Sequence, residues 1–167
     1  VYLNDVEVVK TKSTSCWLTA LTESDHTIKV EAYDLLNHTS SDKVTITIDN
    51  TAPIAEIRTP VKKAYVRGTY DIVIYGVDVN FDLMNLYIDE ALINTWSGGG
   101  TQTYAVDTTI LDDGPHTIKL IVYDEAGNAL EDTITVTVDN TAPKVWIDAP
   151  FSGAELTGVR NITFTAS

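Results

Sequence analysis

The chain has 167 residues, of which 44% are hydrophobic and 21% are charged, and its formal net charge is -13. This composition is sufficient for one or two packed cores. The chain has 24 acidic and 11 basic side chains, and this excess of negative charge disfavours binding to nucleic acid or to anionic membrane surfaces. No apolar run approaches the roughly 20 residues that cross a bilayer, so we expect no membrane insertion in this segment. The single cysteine cannot close an intrachain disulfide.

A repeat with a spacing of 90 residues organises the chain. The motif Asp-Asn-Thr-Ala-Pro occurs at 49–53 and again at 139–143, and aligning 26–77 with 116–167 gives 19 identities in 52 positions. Further upstream, Tyr2 matches Tyr87 at a spacing of 85 residues, so the first half of the unit varies in length. The sequence has neither an initiating Met nor a signal peptide. We therefore expect a stretch of a longer tandem array.

Residues 1–50 are predicted to form the C-terminal part, strands C to G, of a first unit. Val44, Ile46 and Ile48 alternate with threonines, which is the period of a half-buried strand. Cys16 stands in a strand-like run and is predicted to be a buried small hydrophobe. Residues 35–38 read Leu-Leu-Asn-His where the second unit has Glu-Ala-Gly-Asn, which predicts a differently built turn.

Residues 51–140 are predicted to form one complete unit, and 141–167 the N-terminal part, strands A and B, of the next. Alternating Val, Ile and Thr runs separated by Gly, Asp and Pro turns indicate strands at 54–59, 70–77, 85–89, 91–96, 102–107, 116–124 and 132–139. No stretch has a convincing helical period. The fold class is therefore predicted to be all-β, an antiparallel β-sandwich repeated in tandem.

The repeated motifs carry a family resemblance. The Asp-Asn-Thr-Ala-Pro junctions, the approach Gly-Pro-His-Thr-Ile at 114–118 and the turn Tyr-Asp-Glu-Ala-Gly-Asn at 123–128 resemble bacterial and archaeal Ig-like repeats. The resemblance implies tandem Ig-like or fibronectin-III-like sandwiches in large surface proteins, such as stalks, adhesins and S-layer subunits. It implies an extracellular location and does not identify a single function.

The sequence offers little support for an enzyme. His26 and His116 are repeat-equivalent, which favours a structural role, and no Ser/His/Asp set, phosphate-binding glycine loop or Cys/His metal spacing is present. The alternative is a carbohydrate-binding or adhesin module, because Trp17, Trp96 and Trp146 could stack on sugar rings. Several tyrosines are repeat-equivalent, however, which indicates framework positions.

Acidic and amide side chains are predicted to gather at one end of the complete unit. In an Ig-type sandwich the B–C and F–G loops lie at the pole where the preceding strand G arrives. Hard oxygen ligands from three loops suit Ca²⁺, which would be the one possible cofactor. The alternative is that these side chains only cap their own turns. The candidate ligands are Asp49, Asn50, Asp78, Asn80, Asp82, Asp124, Glu125 and Asn128.

Two glycosylation sequons are present. One begins at Asn37 and the other at Asn161. Asn37 is the better candidate because it lies in a loop between strands F and G, whereas Asn161 precedes a strand residue. Glycosylation at either site would fit an extracellular chain.

Together these features predict a non-enzymatic structural protein of the cell surface, a segment of a rod-like array, an S-layer or an extracellular filament. The Asp-Asn-Thr-Ala-Pro links are short and stiffened by proline. The first partial unit lacks strands A and B, and the last partial unit lacks strands C to G. The expected partners are therefore adjacent repeats of the same chain or other copies of it. The side chains expected to pack together, in trans or in a continuous array, are Ile147, Phe151, Leu156, Ile162 and Phe164 against Ile28, Val30, Val44, Ile46 and their neighbours. Surface glycans are a further possible partner.

Overall fold

The computed structural model describes residues 1–19 and 21–167, and within these ranges the chain is all-β with no α-helix. A single turn of 3₁₀ helix covers Thr108–Ile110. The strands are β1 (Tyr2–Leu3), β2 (Val6–Glu7), β3 (Ser24–Tyr33), β4 (Thr39–Ile48), β5 (Ile54–Thr59), β6 (Tyr65–Val66), β7 (Thr69–Val77), β8 (Phe81–Ile88), β9 (Ala91–Trp96), β10 (Gly100–Asp107), β11 (Gly114–Asp124), β12 (Ala129–Val138), β13 (Val145–Ala149) and β14 (Thr163–Ala166).

Strands β5 to β12 form a two-layered central sandwich. One sheet has the order β10-β7-β5 and the other β6-β12-β11-β8-β9. Alternate residues of each strand point into the space between the sheets, so Ile72, Ile74, Leu86, Leu120 and Val122 are fully buried. The all-β sandwich predicted from the alternating pattern is confirmed, and every strand predicted between 54 and 139 is present.

Strands β1 to β4 form the N-terminal sheet, in the order β2-β1-β3-β4. Its registers repeat those of the central sandwich: Ile28 faces Val44 in β3 and β4, as Ile118 faces Ile134 in β11 and β12. The N-terminal sheet has no second layer in the described part of the chain. Val30 is consequently 50% exposed, although its counterpart Leu120 is completely buried.

The segment between β2 and β3 departs from the sequence-based expectation. Cys16 was predicted to be buried in a strand, but it is exposed and residues 8–19 carry no strand. In the central sandwich the equivalent strand, β10, pairs with β7. The N-terminal sheet has no counterpart of β7 to pair with, which explains why this part of the chain stays irregular and leaves the thiol in solvent.

The turn between β3 and β4 is built like its counterpart, and the prediction of a different construction is wrong. The N–H of Asp34 donates to the carbonyl of His38 at 3.2 Å, as the N–H of Asp124 donates to the carbonyl of Asn128 at 3.1 Å. Asn37 has a φ of 62°, in the left-handed region that Gly127 occupies with a φ of 91°. Asparagine tolerates this conformation, so the backbone is kept while the side chains change.

Candidate metal-binding junction

Three carboxylates meet where the N-terminal sheet joins the central sandwich. Asp49 follows the end of β4, Asp78 follows the end of β7, and Asp124 is the last residue of β11. One carboxylate oxygen from each of the three lies within 4.8 Å of the other two. The ends of three strands therefore bring together acidic groups that are far apart in the chain, with Asp78 and Asp124 lying 29 and 75 residues after Asp49.

Two asparagines bridge the junction. The Nδ2 of Asn80 donates to Oδ2 of Asp49 at 2.7 Å, and the Nδ2 of Asn128 donates to the main-chain carbonyl of Asp49 at 3.1 Å. The side-chain oxygen of each of these amides is not used in those bonds. The cluster can thus offer three carboxylates and neutral amide oxygens, which is the hard donor set that Ca²⁺ prefers.

Asp124 is the buried member of the cluster, with 2% of its surface exposed. Burial pushes the pKa of its carboxyl up, but the side chain and N–H of Asn128, together with the N–H groups of Ala126 and Gly127, outweigh it and hold the pKa below its ordinary value. The group is therefore ionised at neutral pH. Its charge lies close to the carboxylates of Asp49 and Asp78, and a cation at this point would offset the repulsion.

The other predicted ligands lie elsewhere or point into solvent. Asp82 and Glu125 are exposed and are outside the group of three carboxylates. Asn50 is also exposed, and its N–H donates to Oε1 of Glu23 at 3.0 Å. The role of Glu23 in holding the link was missed from sequence. The repeat carried the signal, because its counterpart Asp113 accepts from the N–H of Asn140 in the same way.

The sequons and the tryptophans are distributed over the surface. Asn37 and Asn161 are both exposed. Trp96 is partly buried and meets Tyr104 edge-on at a centroid distance of 6.5 Å, whereas Trp17 is 93% exposed in the irregular segment. Trp146 lies on β13, in a separate sheet. In the described residues the three indoles thus belong to three different substructures and do not form one stacking platform for a sugar.

No helix in the described residues is long and apolar enough to cross a membrane. No protein-family model matches the chain, and no curated protein matches it in sequence.

Solved structures do resemble the chain. It is similar to the fibronectin(III)-like modules of CbhA from Clostridium thermocellum, with 16% identity and a TM-score of 0.57 over 83% of this chain and 76% of that one. It is also similar to the endo-beta-1,4-mannanase from Thermotoga petrophila, with 19% identity and a TM-score of 0.47 over 56% of this chain. The chain spans 21% of the length of that mannanase. The first likeness establishes the fold as an Ig- and fibronectin(III)-like β-sandwich.

Proposed function

We propose that the chain is a non-enzymatic segment of a rod-like array of β-sandwich repeats on a cell surface or in an extracellular filament. The observation that carries this proposal is the junction at Asp49. There Asp49, which directly follows the last strand of one unit, is hydrogen-bonded to two loops of the next, through Asn80 and Asn128. A joint bonded at several points transmits force along the array, whereas a flexible linker would not.

The repeat extends the same construction to the second link. At 49–53 the N–H of Thr51 donates to Oδ1 of Asp49 at 3.0 Å, and at 139–143 the N–H of Thr141 donates to Oδ1 of Asp139 at 3.3 Å. Each link ends in a proline, which fixes φ and restricts the preceding residue. Two similar stiff links in succession favour a regular repeat of unit orientation along the array.

Calcium is the proposed cofactor of the junction. The carboxylates of Asp49, Asp78 and Asp124 would hold the ion, with the two bridging asparagines beside it. Asp49 belongs to the link and the other two belong to the loops of the central sandwich, so an ion bound by all three would fix the angle between units. The extracellular location in the proposal fits this role, because millimolar Ca²⁺ suits weak sites of extracellular modules.

The test is thermal unfolding of the chain in millimolar Ca²⁺ and in chelator. An ion that binds only the folded state raises the free energy of unfolding by an amount that grows with the logarithm of its concentration over Kd, and the melting temperature rises with it. We expect Ca²⁺ to raise the melting temperature of the wild-type chain and to have a much smaller effect on Asp78→Asn. Residual dipolar couplings in Ca²⁺ should give one alignment tensor for the N-terminal sheet and the central sandwich.

The matched control is Asp139→Asn, because Asp139 has the same motif context but no carboxylate cluster among the described residues. This variant should respond to Ca²⁺ as the wild type does. A melting temperature that is the same in Ca²⁺ and in chelator would contradict the proposed calcium site. Two different alignment tensors for the N-terminal sheet and the central sandwich would contradict a rigid junction between them.

A further inference from the structure

The link that leaves the central sandwich is held by a side-chain amide. Asn140 is the second residue of the Asp-Asn-Thr-Ala-Pro link at 139–143. Its Oδ1 accepts from the N–H of Gly68 at 3.0 Å and from the hydroxyl of Thr108 at 3.1 Å. Its Nδ2 donates to the main-chain carbonyl of Thr108 at 2.9 Å. One amide group therefore joins the end of β12 to two segments that are 40 residues apart in the chain.

The two segments are also bonded to each other. The carbonyl of Gly68 accepts from the N–H of Thr108 at 2.9 Å and from its hydroxyl at 2.8 Å, so the one hydroxyl proton is shared between Gly68 and Asn140. Gly68 has a φ of 61°, in the left-handed region that favours glycine. Thr108 begins the 3₁₀ turn and is 1% exposed. Gly68, Thr108 and Asn140 thus form a closed ring of hydrogen bonds, which we call the exit ring.

The exit ring is anchored in the hydrophobic core. Val66 lies two residues before Gly68, and its side chain is buried. Val138 lies two residues before Asn140 and is buried as well. Leu111, which follows the 3₁₀ turn, packs against the same core. The packing of the sandwich therefore fixes the position of the ring, and a movement of Asn140 would break bonds to groups that the core holds in place.

The side chain of Asn140 takes the place of a main-chain group in the sheet. β6 and β12 are parallel, and the N–H of Asp139 donates to the carbonyl of Val66 at 3.1 Å. In a regular parallel ladder the N–H of Gly68 would next donate to the main-chain carbonyl of Asp139. It donates to Oδ1 of Asn140 instead. The ladder thus ends on a side chain, and the main chain after Asp139 can turn away from the sheet.

A carboxylate holds the same part of the link. Oδ1 of Asp113 accepts from the N–H of Asn140 at 2.7 Å, and Oδ2 accepts from the hydroxyl of Thr141. The N–H of Asn140, followed by the hydroxyl of Thr141, holds the pKa of Asp113 below its ordinary value. These contacts need no cation, because a single carboxylate meets neutral donors.

We propose that Asn140 is a positioning residue, which sets the direction in which the link leaves the central sandwich by ending the β6–β12 ladder with its side chain. The proposal rests on the role as an array segment and adds a second part to the stiffness of a joint. Calcium would fix a link to the unit that the link enters. The exit ring fixes the link to the unit that it leaves, through hydrogen bonds that no ion supplies.

Asparagine meets both requirements of the ring. Oδ1 accepts from two donors, and Nδ2 donates to the carbonyl of Thr108. Aspartate would keep an acceptor but would place a second oxygen against that carbonyl, and alanine would supply neither group. The ring also requires the hydroxyl of Thr108, which serine would keep and valine would remove.

The test is backbone NMR relaxation and amide hydrogen exchange of the full chain in chelator, where calcium cannot contribute. In the wild type the heteronuclear NOE of Thr141 should match that of β12. Asn140→Ala and Asn140→Asp should both lower it, because each breaks the ring. The N–H of Gly68 loses its acceptor in Asn140→Ala and should exchange about tenfold faster.

Substitutions of Thr108 separate positioning from a general loss of stability. Thr108→Ser keeps the hydroxyl and should preserve the NOE of Thr141. Thr108→Val keeps the volume but removes the donor, and it should lower the NOE of Thr141. The NOE values of β11 and β12 should be unchanged in every variant, which shows that the sandwich remains folded while the link becomes mobile.

The matched control is Asn50→Ala. Asn50 has the same place in the link at 49–53, and its N–H is bonded to Glu23, but within the described residues its side chain makes no hydrogen bond. The NOE of Thr51 should therefore be unchanged. The proposal is overturned if Asn140→Ala leaves the NOE of Thr141 at the wild-type value. It is also overturned if Asn50→Ala loosens its link as much, because the effect would then come from the motif's own turn.

The exit ring and the calcium junction can fail separately. Asn140→Ala should keep the wild-type response of the melting temperature to Ca²⁺, and Asp78→Asn should keep the wild-type NOE of Thr141. A rigid link at 139–143 in Asn140→Ala would overturn the exit ring alone. Two different alignment tensors for the N-terminal sheet and the central sandwich would contradict the rigid junction alone.

Discussion

The N-terminal sheet and the central sandwich share a backbone but not a core. The strand pair β3–β4 has the same register as β11–β12 along its whole length. Even so, Val30 is half exposed where Leu120 is completely buried. The alternating sequence is therefore sufficient to specify strands and their pairing, whereas burial is supplied by the second sheet.

This comparison predicts a large difference between equivalent substitutions. Leu120→Ala leaves a cavity in a closed core and should lower the free energy of unfolding by about 2–5 kcal/mol. Val30→Ala should change it by less than about 0.5 kcal/mol, as is usual for a side chain in solvent. Urea unfolding followed by circular dichroism measures both.

The same pair of variants can break the comparison. If Val30→Ala lowers the free energy of unfolding as much as Leu120→Ala does, then the N-terminal sheet has a core of its own and the contrast in burial is wrong.

A smaller effect is expected at the crowded glycine of the central sandwich. Gly76→Ala should destabilise by about 1–3 kcal/mol, because the new methyl group overlaps Val122. Gly98→Ala is the matched control, since nothing lies within 4 Å of a Cβ there. Adding Val122→Ala should make the double variant less destabilised than the sum of the single ones. Strict additivity would contradict the contact.

Sequence reasoning succeeded where the determinants are local. The strands of the central sandwich follow from alternating Val, Ile and Thr, but β6 has only two residues and is too short to show a period. Cys16 was misplaced because its strand needs a distant partner, which the described chain does not provide. The turn at 34–38 was misread because the left-handed residue can be asparagine as well as glycine.

The candidate site follows the same division. Asp49, Asp78 and Asp124 could be grouped in advance because each follows or ends a strand at the same pole of an Ig-type sandwich. The positions of Asp82 and Glu125 could not, since both lie beside that pole and only the local direction of the side chain separates them from the cluster. The contact of Glu23 with the link follows from the register of β3 and β4, in which Ser24 faces Ile48, and the alternating pattern does not specify that register.

The finest difference between the two regions concerns a histidine. His26 and His116 occupy equivalent positions, and Nε2 donates to the carbonyl of Thr22 in one and of Asp112 in the other, at 2.8 and 2.7 Å. At Nδ1 the partners differ. Asn4 donates its Nδ2 to the ring of His26 at 3.1 Å, whereas Oδ2 of Asp89 lies 2.5 Å from the ring of His116. A carboxylate can only accept, so His116 bonds to both partners as an imidazolium.

The His116–Asp89 pair should therefore make stability depend on pH. The side chain of Asp89, followed by the carbonyl of Asp112, raises the pKa of His116. The stability that protonated His116 contributes is therefore complete below the ordinary pKa near 6.5 and is lost as the pH rises through the raised pKa. Burial raises the pKa of Asp89, but the N–H of Thr117 and the ring of His116 lower it by more, so the net pKa is below its ordinary value. The stability that ionised Asp89 contributes is therefore present above about pH 4 and is lost as the pH falls through the lowered pKa.

Asp89→Asn tests this by giving the central sandwich the partner found in the N-terminal sheet. We expect the variant to lose up to about 1 kcal/mol of stability between pH 4.5 and 6, a small value because the half-exposed carboxylate is screened by solvent. The loss should shrink progressively as the pH rises above 6.5. Urea unfolding at a series of pH values measures the difference from the wild type, and Asp82→Asn is the control for a lost exposed charge. If the wild type and Asp89→Asn have parallel pH profiles, His116 is not charged by its partner, and the two histidines differ in hydrogen bonding alone.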